Sequence, residues 1–271
     1  MSVYCRAEIP YVAGPDGERT GVETPIRDGR TAKLTWQKHG FELRSMPSKV
    51  DRWDDEDQIV ERHYPEMTEM AMEETGCDAV IFYPAIVRGP EQQAAGLADR
   101  APIETAHSDY TERYQAMMRT PGHPYISILK PSMTAAKVTS ADLANASRIL
   151  TLQMWRNIGD PRPDRPIAFC DATTVGREEL TSYLVEEYGG LPTQFESFLL
   201  LPPGEGTKKR RWFTFPEMTA DEVVLFRAYD SERAQSGEPF WTPHTAFVDP
   251  TVDDDAPRRA SVETRAICIF T

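Results

Sequence analysis

Basic residues are the first shortfall of this chain: 30 Lys and Arg stand against 43 Asp and Glu, for a formal charge of −13. Nucleic acid or an anionic membrane would be repelled over most of such a surface, so neither is an expected partner. Cysteine is scarce too. Cys5, Cys77, Cys170 and Cys268 are the whole complement, far apart and without the paired spacing of a zinc site. Cys170 and Cys268 sit in apolar runs where a thiol acts as a small core residue, and all four are expected to be reduced and structural. Long apolar runs are missing: no stretch approaches the roughly 20 residues of a membrane span. Met1 to Pro10 also lacks the basic-then-apolar layout of a secretory signal. These absences lead to the expectation of a cytoplasmic protein. With 271 residues the chain is long enough for a sizeable core, and β-rich single domains reach this length.

What is present reads as many short strands. Up to about Val50 the chain suggests extended pieces broken by turn chemistry at Gly14 to Gly17, with Lys33 to Leu43 as the best strand or hairpin. Asp55 to Gly76 has helical spacing that is reset at Pro65. Ala79 to Val87 reads as a buried strand, followed by a polar loop over 88–104. Tyr125 to Leu129 suggests a short strand, and Ser140 to Ser147 a helix capped by Ser140. Ile149 to Ile158 alternates as a strand, with Leu152, Met154 and Arg156 on one side and Thr151, Gln153 and Trp155 on the other. Further strands fit Ile167 to Cys170, Ser197 to Leu201, Arg211 to Phe215, Val223 to Tyr229 and Ala260 to Phe270. The pattern favours a β sandwich or barrel with helices mainly in the first half. The one basic cluster, Lys208 to Arg211, reads as a solvated loop that could help steer an anionic substrate.

The chemistry is concentrated in His107-Ser108-Asp109 and His244. Two imidazoles and one carboxylate on one face of an iron(II) ion leave three positions open, the arrangement of non-heme oxygenases. His-X-Asp alone is a weak motif, and Asp109 with Glu112 also resembles a capping box at a helix start. Of the five histidines only His107 carries an acidic residue two places on. The closing strand adds a second element. Alternation puts Arg259, Ser261, Glu263 and Arg265 on one face. A buried face with two arginines needs anionic partners: Glu263 for one, an anionic ligand for the other. The alternative is a solvent-facing ladder of ion pairs.

These residues resemble the iron(II)/2-oxoglutarate-dependent oxygenases, and more closely their hydroxylase/desaturase branch of microbial secondary metabolism, related to aspergillic-acid hydroxylase/desaturase and a cephem-methoxylase component. The resemblance covers nearly the whole chain. It rests on His107-Ser108-Asp109-Tyr110-Thr111, Trp155-Arg156, Arg165 to Asp171, Phe215 to Val223 running to Ser231, Thr242 to Phe247, and Pro257 to Arg265. The chain departs from the family pattern at Asn157, where proline is usual, and at Gln153, where asparagine is expected.

The resemblance implies a mainly β fold with flanking helices, the double-stranded β-helix (jelly roll, cupin-like). Residues 1–271 would form one domain, with about 1–105 packed on the barrel. His107, Asp109 and His244 would be the Fe(II) ligands, Arg259 and Ser261 would hold the far carboxylate of 2-oxoglutarate, and Arg258 competes with Arg259 for that role. With O2, a ferryl oxidant would hydroxylate, desaturate or cyclise a small natural product, releasing succinate and CO2. Trp155 and Arg156 become candidate substrate contacts by the same resemblance. Trp212, Phe213 and Trp241 read as core, and Asp171 and Asp230 as turn or capping residues. A homodimer is left open. Two other functions share the triad: a metal- or ligand-binding β-barrel without turnover, and a zinc-dependent hydrolase or isomerase. The Arg259-Ser261 pair argues against the hydrolase, which has no need of a dicarboxylate co-substrate.

Overall fold

The computed structural model describes residues 2–13, 17–95, 100–188, 190–204 and 209–271. The strands in chain order are β1 (Val3–Val12), β2 (Arg19–Asp28), β3 (Phe41–Ser45), β4 (Ala79–Arg88), β5 (His107–Ser108), β6 (Arg148–Asn157) and β7 (Ile167–Cys170). They continue as β8 (Leu180–Tyr188), β9 (Leu191–Leu200), β10 (Trp212–Thr214), β11 (Glu222–Asp230), β12 (His244–Ala246) and β13 (Ser261–Phe270). They form two sheets, one of eight strands in the order β1-β2-β10-β7-β12-β5-β9-β8 and one of five in the order β3-β11-β6-β13-β4. One apolar core joins Ala168, Cys170, Phe198 and Trp212 of the larger sheet to Ile81, Tyr83, Ile149 and Ile267 of the smaller. A second core lies where Leu150, Leu152, Met154, Ala266 and Cys268 meet Met67 and Ala71 of the helix Tyr64–Thr75. A side chain such as Ile267 or Leu152, fully withdrawn from water, contributes roughly 1.5–3 kcal/mol.

Alternation explains why β6 and β13 serve both cores. In β13, Ala266 and Cys268 face the helix while Ile267 and Ile269 face the larger sheet. The split of β6 expected from its sequence is the one observed, with Leu152 and Met154 toward the helix. The helical stretch after Asp55 also matches its pattern: Asp55 accepts from the amides of Asp57 and Gln58, a π turn spans Ile59–His63, and Pro65 sits in the first turn of Tyr64–Thr75. All four cysteines are free and buried.

Several expectations are corrected. Tyr125 to Leu129 is part of a helix, Pro124–Ala135, because Pro124 opens the first turn and His123 Nδ1 accepts from the Tyr125 amide. Its buried residues Tyr125, Ile126, Leu129 and Met133 keep helical spacing, which a short apolar run does not distinguish from a strand. Ser132 Oγ accepts from the Phe82 amide at 2.7 Å, so this helix covers β4 at the edge of its sheet. Lys33 to Leu43 is no hairpin. Thr35 caps a short helix, Trp36–His39, which Gly40 ends at φ 97°, and β3 begins only at Phe41. The helix at Ser140 is capped by Thr139, in a reciprocal box with Asp142. The start of the chain is two long paired strands instead of short pieces. Of the turn at Gly14 to Gly17, residues 14–16 lie outside the described residues, as does Lys208. Of the rest of the basic cluster, Lys209 is exposed as expected, whereas Arg210 is buried against Glu179 at 2.6 Å and the partly exposed Arg211 pairs with Asp171 at 2.6 Å. The 88–104 segment includes a short helix, Pro90–Ala94.

Candidate active site

β5 is two residues long, yet it lies between β9 and β12, and its register sets His107 directly opposite His244. The two rings stand 4.3 Å apart. Asp109, the residue after β5, completes the cluster: a ligand atom from each of the three lies within 4.8 Å of the others. Each imidazole is oriented in the same way. His107 Nδ1 lies 2.7 Å from the Thr105 carbonyl and His244 Nδ1 lies 3.0 Å from the Thr242 carbonyl. A carbonyl only accepts, so Nδ1 carries the proton and Nε2 keeps its lone pair for a metal. Burial, reinforced by the neighbouring His244, pushes the His107 imidazole down to about 4, which keeps it a neutral ligand at ordinary pH.

Asp109 is not a helix cap. The next helix, Tyr114–Met118, is preceded by Arg113, and Glu112 is engaged with Arg177. The Asp109 carboxylate is buried, with Oδ1 accepting from Arg265 at 3.4 Å and Oδ2 left without a hydrogen-bond partner. A buried carboxylate whose Oδ1 lies 4.0 Å from His107 Nε2, beside two imidazoles with free Nε2 lone pairs, is a donor set that suits a divalent iron. The residues therefore fit the metal.

The opposite wall comes from β13 and its neighbours. Glu263 accepts from Tyr188 OH at 2.5 Å and pairs with Arg88 and Arg265 at 3.3 and 3.4 Å. Burial alone would raise this carboxylate; the Arg88 and Arg265 charges overcome it and hold the group well below the usual carboxylate range. Arg259 is buried in the same cavity, its guanidinium 5.5 Å over the Trp155 ring and its Nη1 donating to the Arg165 carbonyl at 3.3 Å. Its Nε has no partner, and neither has Ser261 Oγ two residues on. Burial, then the Arg88 charge, pulls the Arg259 guanidinium down to about 10, still protonated at neutral pH. A buried cation with an unsatisfied donor in this cavity is suited to one end of a dicarboxylate, whereas Ser261, though buried, is not among the cavity's lining residues.

Of the sequence candidates, His107, Asp109, His244, Arg259 and Trp155 line one cavity. Arg258, in contrast, is exposed. Arg156 is a correction. It projects from the other face of β6, where Nη1 donates to the carbonyls of Met46 and Ala220 and the guanidinium covers Trp53, so it takes no part in the cavity. Trp212, Phe213 and Trp241 are core residues as expected, while Asp171 and Asp230 accept backbone amides at helical turns. Sequence reasoning missed Arg88 and Tyr188. Arg88 falls in the polar loop expected after Val87 although the strand runs one residue further, and Tyr188 ends a strand, β8, that carried no recognisable pattern. A second, larger cavity of about 380 Å³ adjoins the triad and shares His107, Asp109, Tyr188 and Arg265 with the first.

Fold and site together define a jelly-roll protein with a two-histidine, one-carboxylate centre. A family model described as oxidoreductase/YMDC permease-like domain matches residues 3–269, and the chain belongs to that family. Among its relatives is alpha-ketoglutarate-dependent dioxygenase phiK of a fungal species, 25% identical over 252 residues that make up 90% of this chain and 83% of that one. Hydroxylase/desaturase asaB of Aspergillus flavus is 32% identical over 155 residues, 53% of this chain and 64% of its own. The solved structure of the iron and alpha-ketoglutarate-dependent endoperoxidase NvfI superposes with a TM-score of 0.75 at 20% identity, covering 99% of this chain and 98% of that one. The double-stranded β-helix is thus the fold, and the chain belongs to an oxidoreductase family whose relatives include iron(II)/2-oxoglutarate-dependent dioxygenases.

Proposed function

We propose that this enzyme hydroxylates, desaturates or cyclises a small natural product, with His107, Asp109 and His244 as iron ligands and Arg259 and Ser261 as the anchor for 2-oxoglutarate. The observation that carries the reading is the pairing of two features in one cavity: a buried Asp109 carboxylate beside two oriented imidazoles, and a buried Arg259 Nε without an acceptor among the described residues. When bound, iron(II) would let dioxygen supply the oxidising equivalents that remove hydrogen from an unactivated carbon, with 2-oxoglutarate giving two electrons as it is decarboxylated to succinate and CO2.

The chain's own residues orient and enclose. The Thr105 and Thr242 carbonyls fix the imidazoles, Arg265 fixes Asp109, and the flat face of Trp155 supports the Arg259 guanidinium. Trp155 also forms part of the substrate-side wall in this reading. Burial keeps water from the reacting carbon. The whole chain works as one domain, in line with a family match that spans 3–269 and with β1 and β2 completing the larger sheet.

Anaerobic addition of iron(II) and 2-oxoglutarate should give a weak visible charge-transfer band, absent in His107→Ala and weakened in Arg259→Ala. Air should then yield succinate. No band and no succinate from the wild type would remove the oxygenase reading and leave a metal-binding barrel or a zinc hydrolase.

A further inference from the structure

The second cavity points to the kind of molecule oxidised. We propose that the substrate is a largely apolar body carrying an anionic group, carboxylate or phosphate, and that Arg19 at the cavity rim binds that group. The proposal deepens the reading above and rests on it for the reaction, though not for the binding.

The cavity of about 380 Å³ is within the size range of small-molecule sites and touches His107 and Asp109, so a molecule filling it reaches the metal centre. Its walls are mostly apolar, from Ile103, Val185, Phe195 and Leu199 among others. Three charged side chains line it: Asp109, Arg265 and Arg19. The first two are committed, Asp109 to the centre and Arg265 to Asp109, Glu263 and Tyr188. Arg19, at the start of β2, is exposed, and its side chain makes no hydrogen bond or ion pair among the described residues.

Of the basic cluster that the sequence offered for steering an anion, the two arginines are already paired, Arg210 with Glu179 and Arg211 with Asp171. On a chain of charge −13, an unpaired guanidinium on the rim of an apolar cavity is a local reversal of sign. Its fork geometry suits carboxylate or phosphate oxygens; a neutral head group would gain a weaker hydrogen bond without the charge, and an ammonium would be repelled.

Calorimetric titration of the metal-free protein with octanoate, octyl phosphate, 1-octanol and octyltrimethylammonium tests this. The anionic probes should bind roughly five- to tenfold more tightly than octanol. Arg19→Gln should abolish that preference, Arg19→Glu should turn it toward the ammonium, and Arg259→Ala should leave it intact; the ratio of octanoate to octyl phosphate identifies the anion. Equal binding of all probes, or no binding, overturns the proposal. So does an anion preference that survives Arg19→Gln and vanishes in Arg259→Ala, which would put the probe at the co-substrate end. Because the charge-transfer band is measured separately, an Arg19-dependent preference without the band would sink the oxygenase reading alone, and a band without the preference would sink only this one.

Discussion

Arg265 Nη2 donates to Asp109 Oδ1 across 3.4 Å, while Asp109 Oδ2 has no hydrogen-bond partner among the described residues. The same Oδ1 lies 4.0 Å from His107 Nε2, so the arginine fixes the carboxylate beside the imidazoles. Its own position is set by Glu263 and Tyr188.

Replacing Arg265 with alanine should therefore weaken metal binding without removing any ligand. The expected loss is about 10- to 100-fold, the range for partners that orient ligands. Cobalt(II) titration followed by its visible absorption would measure it. Unchanged affinity would mean that the carboxylate is oriented by the metal alone.

Arg259 and Arg258 are adjacent but differ in environment, one buried in the cavity and the other exposed. Arg259→Ala should raise the KM for 2-oxoglutarate by roughly 10- to 100-fold, the worth of hydrogen bonds to a charged group. Arg258→Ala should leave it within about twofold, as surface substitutions generally do. Succinate formation at varied co-substrate concentration distinguishes the two, and the reverse order would reassign the anchor.

Trp155 and Arg156 should separate activity from stability. Trp155→Ala removes the platform under Arg259 and should lower kcat/KM for 2-oxoglutarate. Arg156→Ala strands the carbonyls of Met46 and Ala220 on the other side of the sheet and should cost about 1–3 kcal/mol of stability. Its kcat/KM, measured well below its Tm, should stay near wild type.

His63 supplies a pH dependence. Its Nε2 meets Thr264 Oγ1 at 2.8 Å inside the helix-covered face, and burial, then the Arg156 charge, pulls the imidazole from 6.5 down to about 3. Between those values the unfolded chain binds a proton that the folded chain refuses. Stability from this group is therefore complete above about pH 6.5 and declines as the pH falls, by roughly 2 kcal/mol near pH 5. His63→Gln should flatten that part of the profile in denaturant titrations at pH 7 and 5. Parallel slopes for the two proteins would contradict it.

Local order in the chain carried much of this. His107 and Asp109 are two residues apart, so their proximity needs no fold, and the alternation of β6 put Trp155 and Arg156 on opposite faces before any contact was known, while the choice between Arg259 and Arg258 waited for their burial. What alternation could not supply was the meaning of a face. It put Arg156 opposite Trp155 without saying which side held the cavity, and family resemblance then joined both to the substrate. Short apolar runs failed for the same reason: Tyr125 to Leu129 fits a strand or a helix until a proline and a capping histidine decide.

The sequence by itself determined the kind of centre, two imidazoles and a carboxylate followed by a basic closing strand, because donor chemistry resides in residue types and their order. Only the tertiary structure decided how that centre is finished. The pairing of β5 with β12 brings His244 across more than a hundred residues to His107, and β4 and β8 deliver Arg88 and Tyr188 to Glu263. Such contacts depend on strand register and on which buried charges neutralise one another, and both are set by the packing of distant segments instead of by any local pattern.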